Sequence, residues 1–166
     1  MLDLLFVLFL SLAFMFGFVR PFVVETFRIP SGSMTPTLQA GDHVLVAKFA
    51  YRFADPDRGD LVAFEGAGYE DEVNIKRVVG LPGDTAEVWD GVLVVNGEAQ
   101  EEPYVDYGLT DATFFGPETV PEGHVFVMGD NRLNSRDSRS SGPVSKEDLL
   151  GETLLRFWPL NRIGSL

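Results

Sequence analysis

An uncharged apolar run near the start of the chain restricts its fold more than any other feature. Residues 4–19 carry no charged side chain and consist mainly of Leu, Phe, Val, Met and Ala. The run has 16 residues, and a helix needs roughly 20 apolar residues to span a bilayer. Arg20 can snorkel to the membrane surface, and apolar residues 22–24 follow it, so the usable stretch is longer. We therefore predict an uncleaved transmembrane anchor over residues 1–19.

A cleaved secretory signal is the alternative interpretation of this run. Such a signal begins with positive charge and ends at a cleavage site of small residues. The charged groups before the run are Asp3 and the terminal amine, and no Ala-x-Ala pattern follows it, which favours the anchor. The orientation stays open, because all 13 Lys and Arg residues follow the run and the positive-inside rule weakens for long domains.

Charge and composition narrow the classes of function. The chain has 25 acidic and 13 basic side chains and a net charge of −12. Such a chain is a poor partner for nucleic-acid phosphates or anionic lipid headgroups, so we expect no nucleic acid and a hydrophobic membrane attachment. The chain has no Cys, which excludes disulfides and thiolate nucleophiles. It has only two His residues, so we predict no metal site and no cofactor.

Beyond the apolar run the pattern changes to short alternating segments separated by turn residues. The turn at residues 90–91, Asp-Gly, is a strong hairpin signal. Residues 98–123 are acidic and rich in Gly and Pro, which predicts a long loop or small excursion, and a short helix is expected at residues 146–150 with Ser145 as its N-cap. The pattern predicts a mostly β fold with little helix, a mainly antiparallel domain over residues 20–166. Its strands are predicted at residues 42–48, 60–64, 73–80, 87–89, 92–95, 124–128 and 153–158.

Lys76 is the first candidate for chemistry. His43 and His124 lie in or beside predicted strands, which disfavours a Ser-His-Asp triad, and lysines are scarce. Period-two alternation places Lys76 on one strand face with Asn74 and Val78. On a solvent face this lysine would do nothing. Burial, in contrast, would lower its pKa and allow the amine to accept a proton.

Two polar segments supply the other candidates. Residues 27–38 contain two prolines and a glycine, which exclude a helix or a central strand, and present Ser31 and Ser33 on either side of Gly32. A serine needs a base to become a nucleophile, and a Ser-Lys pair is one known solution. Residues 128–139 are dense in hydrogen-bonding and ion-pairing side chains. Each segment also has an ordinary interpretation, as a turn and as a solvated loop.

Taken together, the three segments resemble the signature boxes of bacterial type I signal peptidases. Residues 30–38 resemble the serine box of that family, residues 76–84 its lysine box, and residues 129–139 its third box. Order and spacing agree, and the resemblance covers nearly the whole chain. Leu133 and Arg136 depart from the third box, where the family often has an acidic and a small residue, and we expect altered loop packing there.

The resemblance implies a role for each matching residue. Ser33 would attack the scissile carbonyl, and neutral Lys76 would take its proton. The backbone N–H of Ser33 and the hydroxyl of Ser31 would form the oxyanion hole, and Ser135 would orient the lysine amine. An ion pair would brace the site, and an apolar cleft would bind substrate. The ion pair would join Asp137 and Arg139; the pocket for the residue before the cut would be lined by Ile29, Met34, Leu38 and Ile75, the pocket two residues further back by Phe27 and Val44, with Pro30 also in contact with substrate.

The implied function is removal of N-terminal signal peptides from secretory precursors after a small residue, in the Ala-x-Ala manner. The family works on the outer face of the cytoplasmic membrane, so the resemblance implies a single-pass protein with an extracytoplasmic β domain whose partners are signal peptides and the lipid bilayer. Two alternatives differ in class: a self-cleaving Ser-Lys repressor-like protein, and an inactive membrane-anchored module that binds peptides.

Overall fold

Two antiparallel sheets form the framework of the chain that the structure describes. The computed structural model describes residues 2–15, 17, 23–66, 73–110 and 112–166. The helical elements are short: α1 Leu2–Phe14, α2 Ala50–Phe53 and α3 Ser138–Ser141, with 3₁₀ turns at Tyr107–Leu109, Arg132–Asn134, Lys146–Asp148 and Leu160–Arg162. The strands are β1 Val24–Arg28, β2 His43–Ala47, β3 Leu61–Phe64, β4 Asn74–Gly80, β5 Thr85–Trp89, β6 Val92–Val95, β7 Glu98–Ala99, β8 Phe115–Thr119, β9 His124–Met128, β10 Val144–Ser145, β11 Leu149–Trp158 and β12 Gly164–Ser165. The prediction of a mostly antiparallel β fold with little helix is confirmed.

The first part of the apolar run, residues 4–14, lies in α1, a helix of 13 residues from Leu2 to Phe14. Its described side chains beyond residue 4 are exposed. Across the described ranges, no helix combines the length and the apolar character that crossing a membrane requires. The anchor predicted at residues 1–19 also includes residues 1, 16, 18 and 19, which lie outside the described residues.

The larger sheet has the strand order β1-β2-β11-β3-β4-β9-β10, and β12 pairs with β11. The smaller sheet has the order β7-β6-β5-β8 and follows directly from β4. Strand β4 lies between β3 and β9, and its residues Ile75, Val78 and Val79 belong to three different apolar clusters. Both faces of β4 are therefore covered, and every residue from 75 to 80 is buried.

Two segments differ from their predicted form. Residues 98–123 are not loop throughout, because β7 and β8 lie within them and β8 pairs with β5. The residues that hid β8 are Gly116 and Pro117, which disfavour a central strand but are tolerated at the sheet edge that β8 occupies. Gly116 is required there, since its φ is +84° and a Cβ would lie 2.7 Å from the carbonyl oxygen of Ala86. The predicted helix at 146–150 is a 3₁₀ turn, capped by Ser145 as expected.

Candidate active site

A serine and a lysine meet where the loop after β1 crosses strand β4. The Nζ atom of Lys76 donates hydrogen bonds to Ser33 Oγ at 2.9 Å and to the carbonyl oxygen of Ile75 at 3.2 Å. Lys76 is 4% exposed, and Ser33 is half-buried. These two residues are 43 positions apart in the chain, so the antiparallel sheet brings them together. The lysine is on a buried face, which was the condition for its chemical role.

Burial sets the protonation behaviour of Lys76. Removal of the ammonium from water lowers its pKa from 10.5 to about 8, although the nearby carboxylates of Asp137 and Asp130 raise it in part. A lysine with a pKa near 8 is a better proton acceptor at neutral pH than an exposed one, because a larger fraction is neutral. The site therefore holds a base that has an adjacent hydroxyl to deprotonate.

The loop that carries Ser33 is held by a hydrogen bond within the loop and by two from the loop after β9. Within the loop, the Thr35 N–H donates to Gly32 O at 3.2 Å. From the loop after β9, the backbone N–H of Asn131 donates to Ser33 O at 3.0 Å and its side-chain Nδ2 donates to Gly32 O at 3.1 Å. The prolines and these contacts give the loop a defined shape, so Ser33 is presented at a fixed position beside Lys76.

The other two predicted serines occupy different positions relative to the pair. The exposed hydroxyl of Ser31 donates to Ser33 Oγ at 3.4 Å. The hydroxyl of Ser135 is buried, has no hydrogen-bond partner among the described residues, and is not joined to Lys76. It lies near enough to Asp137 to help hold the pKa of that carboxyl low, although its geometry falls short of a hydrogen bond. The orienting role of Ser135 stays a prediction.

The ion pair predicted in the third box, between Arg139 and Asp137, is present. Arg139 donates from Nε to Oδ1 and from Nη2 to Oδ2 of Asp137, both at 2.8 Å, and the Gly129 N–H donates to the same carboxylate at 3.0 Å. Burial raises the pKa of Asp137, but the Arg139 guanidinium and these donors outweigh it and hold the pKa below its ordinary value. Asp137 is therefore ionised at neutral pH, and its contacts with Arg139 and Gly129 brace the loop after β9.

An apolar cleft of about 300 Å³ opens beside the serine and lysine. Five of the seven predicted substrate-binding residues line it: Phe27, Ile29, Pro30, Met34 and Ile75. Leu38 and Val44 are fully buried in the apolar cluster beneath it and do not line the cleft. Among the described residues, no group of three His, Asp or Glu side chains is arranged to hold a metal ion.

Comparison with known proteins gives concordant results. A family model described as "Signal peptidase, peptidase S26" matches residues 2–158. Signal peptidase I of Leptolyngbya laminosa is 42% identical over 159 residues, 89% of this chain and 75% of that protein. Signal peptidase I of Bacillus licheniformis is 38% identical over 157 residues, 87% of this chain and 82% of that protein. The chain belongs to the signal peptidase family, peptidase S26. It is therefore a serine peptidase, and its family membership supports removal of signal peptides.

A solved signal peptidase structure supports the same assignment of the fold. The crystal structure of a signal peptidase I from Enterococcus faecalis V583 is 34% identical, with a TM-score of 0.52, and covers 60% of this chain and 97% of that chain. The resemblance found in the sequence is confirmed at the level of family and of the β fold.

Two buried ion pairs in this member of the family were not anticipated from the sequence. Arg77 donates to Asp130 from Nε at 2.9 Å and from Nη2 at 2.7 Å, and its guanidinium lies 3.9 Å from the ring centre of Tyr104. Arg132 makes a bidentate pair with Glu102 at 2.8 and 2.5 Å. The charged residues of the lysine and third boxes indicated polar contacts, but nothing local identified Glu102 or Tyr104 as partners.

Proposed function

We propose that this chain removes signal peptides by acyl-enzyme catalysis, with Ser33 as nucleophile and Lys76 as general base, cutting after a small residue. The observation that carries the proposal is the 2.9 Å hydrogen bond between the buried Lys76 amine and the Ser33 hydroxyl, at the edge of an apolar cleft. Nucleophile and base within hydrogen-bond reach are the geometric signature of an activated serine.

The proposed reaction proceeds in two stages. Ser33 Oγ bonds to the scissile carbonyl carbon as its proton passes to neutral Lys76, and the carbonyl electron pair moves onto oxygen. The Ser33 N–H and the Ser31 hydroxyl stabilise this oxyanion; losing one such donor typically costs about 10²–10³ in rate. The Lys76 ammonium then protonates the leaving amine, which leaves an ester on Ser33. A water molecule then attacks the ester carbonyl carbon and gives its proton to Lys76, which passes it to Ser33 Oγ as the acyl group leaves.

The cleft supports a preference for small apolar residues before the cut. Its walls beside the nucleophile are apolar and come from Ile29, Met34 and Ile75. These three side chains belong to the same buried apolar cluster as Leu38 and Val44. A close-packed wall does not widen readily for a large side chain, so we infer an Ala-x-Ala type of site.

The proposed setting is the outer face of a bacterial cytoplasmic membrane. The apolar run at residues 4–19 would anchor the chain, and residues 20–166 would form the extracytoplasmic catalytic domain. Ser33 follows Arg20 by 13 residues, which keeps the nucleophile close to the bilayer surface. Secretory precursors present their cleavage sites at that surface.

A precursor-cleavage assay tests this proposal. Purified full-length protein in detergent should cut a secretory precursor once, after a small residue, as located by the masses of the two products. Ser33→Ala should give no acyl-enzyme and no product above background. Cleavage at other bonds, or undiminished cleavage by Ser33→Ala, would contradict the proposal.

The pH dependence of the rate provides a second test. Because Lys76 acts in its neutral form, we expect kcat/KM to rise with pH and level off above a pKa of about 8. Two pH units below the pKa only about 1% of the amine is neutral, so the rate at pH 6 should be about a hundredth of the plateau. A profile that is flat from pH 5 to 9 would exclude Lys76 as the base.

A further inference from the structure

The side chain of Asn131 contacts the nucleophile loop at the peptide bond that precedes Ser33. Its Nδ2 donates to Gly32 O at 3.1 Å, while its backbone N–H donates to Ser33 O at 3.0 Å. Asn131 lies 99 positions beyond Gly32 in the chain, at the start of the 3₁₀ turn after β9. One half-buried residue therefore holds the carbonyl groups on both sides of the nucleophile.

The first of these contacts also determines the direction of an N–H group. Gly32 C=O and Ser33 N–H belong to the same peptide unit, which is planar and trans, so the two groups point in opposite directions. With Gly32 O turned toward Asn131, the Ser33 N–H is turned away from the loop after β9. Among the described residues the Ser33 N–H has no hydrogen-bond partner, and Ser33 lines the cleft.

The identity of residue 32 makes this contact important. Turning the Gly32–Ser33 peptide over changes ψ of Gly32 and φ of Ser33. Glycine permits the first change freely, so within the backbone only Ser33 resists the reversal. A reversed peptide would aim the Gly32 carbonyl oxygen, instead of the Ser33 N–H, at the cleft. An oxygen there would repel a developing negative charge. Among the described residues, Gly32 O accepts one other hydrogen bond, from the N–H of Thr35 at 3.2 Å.

We propose that the Asn131 side chain is a positioning residue for the oxyanion site. It holds the Gly32–Ser33 peptide with its N–H facing the substrate carbonyl, and so acts on catalysis through Ser33 without touching substrate. This inference rests on the proposed function. It predicts that loss of the amide donor weakens binding of the tetrahedral intermediate but leaves substrate binding intact.

The test compares Asn131→Ala with wild type in the precursor-cleavage assay. We expect kcat to fall roughly tenfold to a hundredfold, less than the about 10²–10³ that loss of the donor itself costs, with KM nearly unchanged. A peptide aldehyde of the cleavage-site sequence provides an equilibrium probe: Ser33 Oγ adds to its carbon, the serine proton passes to Lys76, and the carbonyl oxygen becomes the oxyanion. Its affinity should fall by the same factor as kcat. The matching peptide alcohol, which forms no oxyanion, should bind as before.

Two further variants serve as companions. Asn131→Asp keeps the acceptor that the Asn134 N–H uses at 3.2 Å but loses the Nδ2 donor, so it should share the defect even if Asn131→Ala folds poorly. Asn134→Asp makes the same change at an exposed position of the same turn and should behave as wild type. The pH midpoint of Asn131→Ala should stay at the wild-type value, since the base is untouched.

The outcomes separate this inference from the proposed function. An active wild type with kcat unchanged in both Asn131 variants would overturn the inference alone. So would an equal loss of aldehyde and alcohol affinity, which indicates general distortion of the cleft. An inactive wild type, or an active Ser33→Ala variant, would overturn the proposed function and the inference with it.

Discussion

Replacement of Lys76 by methionine should abolish peptidase activity and at the same time stabilise the fold. General bases typically contribute 10²–10⁴-fold, so we expect kcat/KM to fall by about 10³-fold or more. The buried ammonium, in contrast, is costly: its pKa is lowered from 10.5 to about 8, and each pKa unit corresponds to about 1.4 kcal/mol. After allowance for the lost hydrogen bonds to Ser33 and Ile75, the free energy of unfolding should rise by about 1–3 kcal/mol at pH 7.

The sign of the pH dependence distinguishes this effect from better packing. Because the pKa of Lys76 is lower in the folded chain, the unfolded chain binds more protons between pH 8 and 10.5, and wild-type stability rises over that window. The advantage of Lys76→Met should therefore be complete below pH 8 and decline as the pH approaches 10.5. Denaturant titrations at several pH values measure it.

Lys48→Met is the matched control for this prediction. Lys48 pairs with Glu25 at 2.9 Å, and both side chains are partly exposed, so the change in stability should stay within about 0.5 kcal/mol. Activity should be retained. A Lys76→Met variant that is less stable than wild type at pH 7 would contradict the cost of the buried ammonium. A Lys76→Met variant that still cleaves precursor would contradict the role of Lys76 as the base.

Replacement of Gly129 by alanine should displace the nucleophile. A Cβ at this position would lie 2.2 Å from Ser135 Oγ and 2.5 Å from the backbone oxygen of Ser33. Neither distance is tolerable, and Ser33 O belongs to the loop that carries the reactive hydroxyl. A misplacement of about 1 Å costs on the order of 10²-fold in rate, and overpacking typically costs about 1–3 kcal/mol. We expect losses of these sizes in kcat/KM and in the free energy of unfolding.

Gly164→Ala gives the comparison for this substitution. A Cβ at Gly164 would meet nothing within 4 Å, and its backbone is not in the left-handed region. The control should therefore keep wild-type activity and stability. Kinetics measured well below the unfolding midpoint separate displacement of Ser33 from loss of folded protein. Wild-type kinetics for Gly129→Ala would show that the loops after β1 and β9 are not packed against each other as described.

Local patterns predicted most of the strands but not all of them. Strands β2, β3 and β6 follow from alternation and from the turn residues beside them. Strand β1 was not predicted, because it lies close behind the apolar run and its first residue was counted as an extension of that run. Strand β8 was hidden by its glycine and proline. The edge of a sheet accepts these two residues where a central strand would not.

The residues of the candidate site could be predicted from the sequence, but their burial and their partners could not. Ser33 and Lys76 stood out through the scarcity of other bases, the shape of the serine loop and the resemblance of three segments to a family. Alternation placed Lys76 on one strand face but could not show that both faces of β4 are covered. The Arg132–Glu102 pair joins residues 30 positions apart, and such long-range partners leave no local signal.

The central position of β4 has a consequence for how activity is acquired. The nucleophile comes from the loop after β1, the base from β4 and the support for Ser33 from residue 131, so the contacts that define the site span 43 to 99 positions. A sheet rich in such distant pairings folds slowly and cooperatively. A nascent or fragmentary chain that stops before the β9 loop would lack the hold on Ser33. We therefore expect cleavage during refolding to appear only after the loop after β9 has docked on the serine loop.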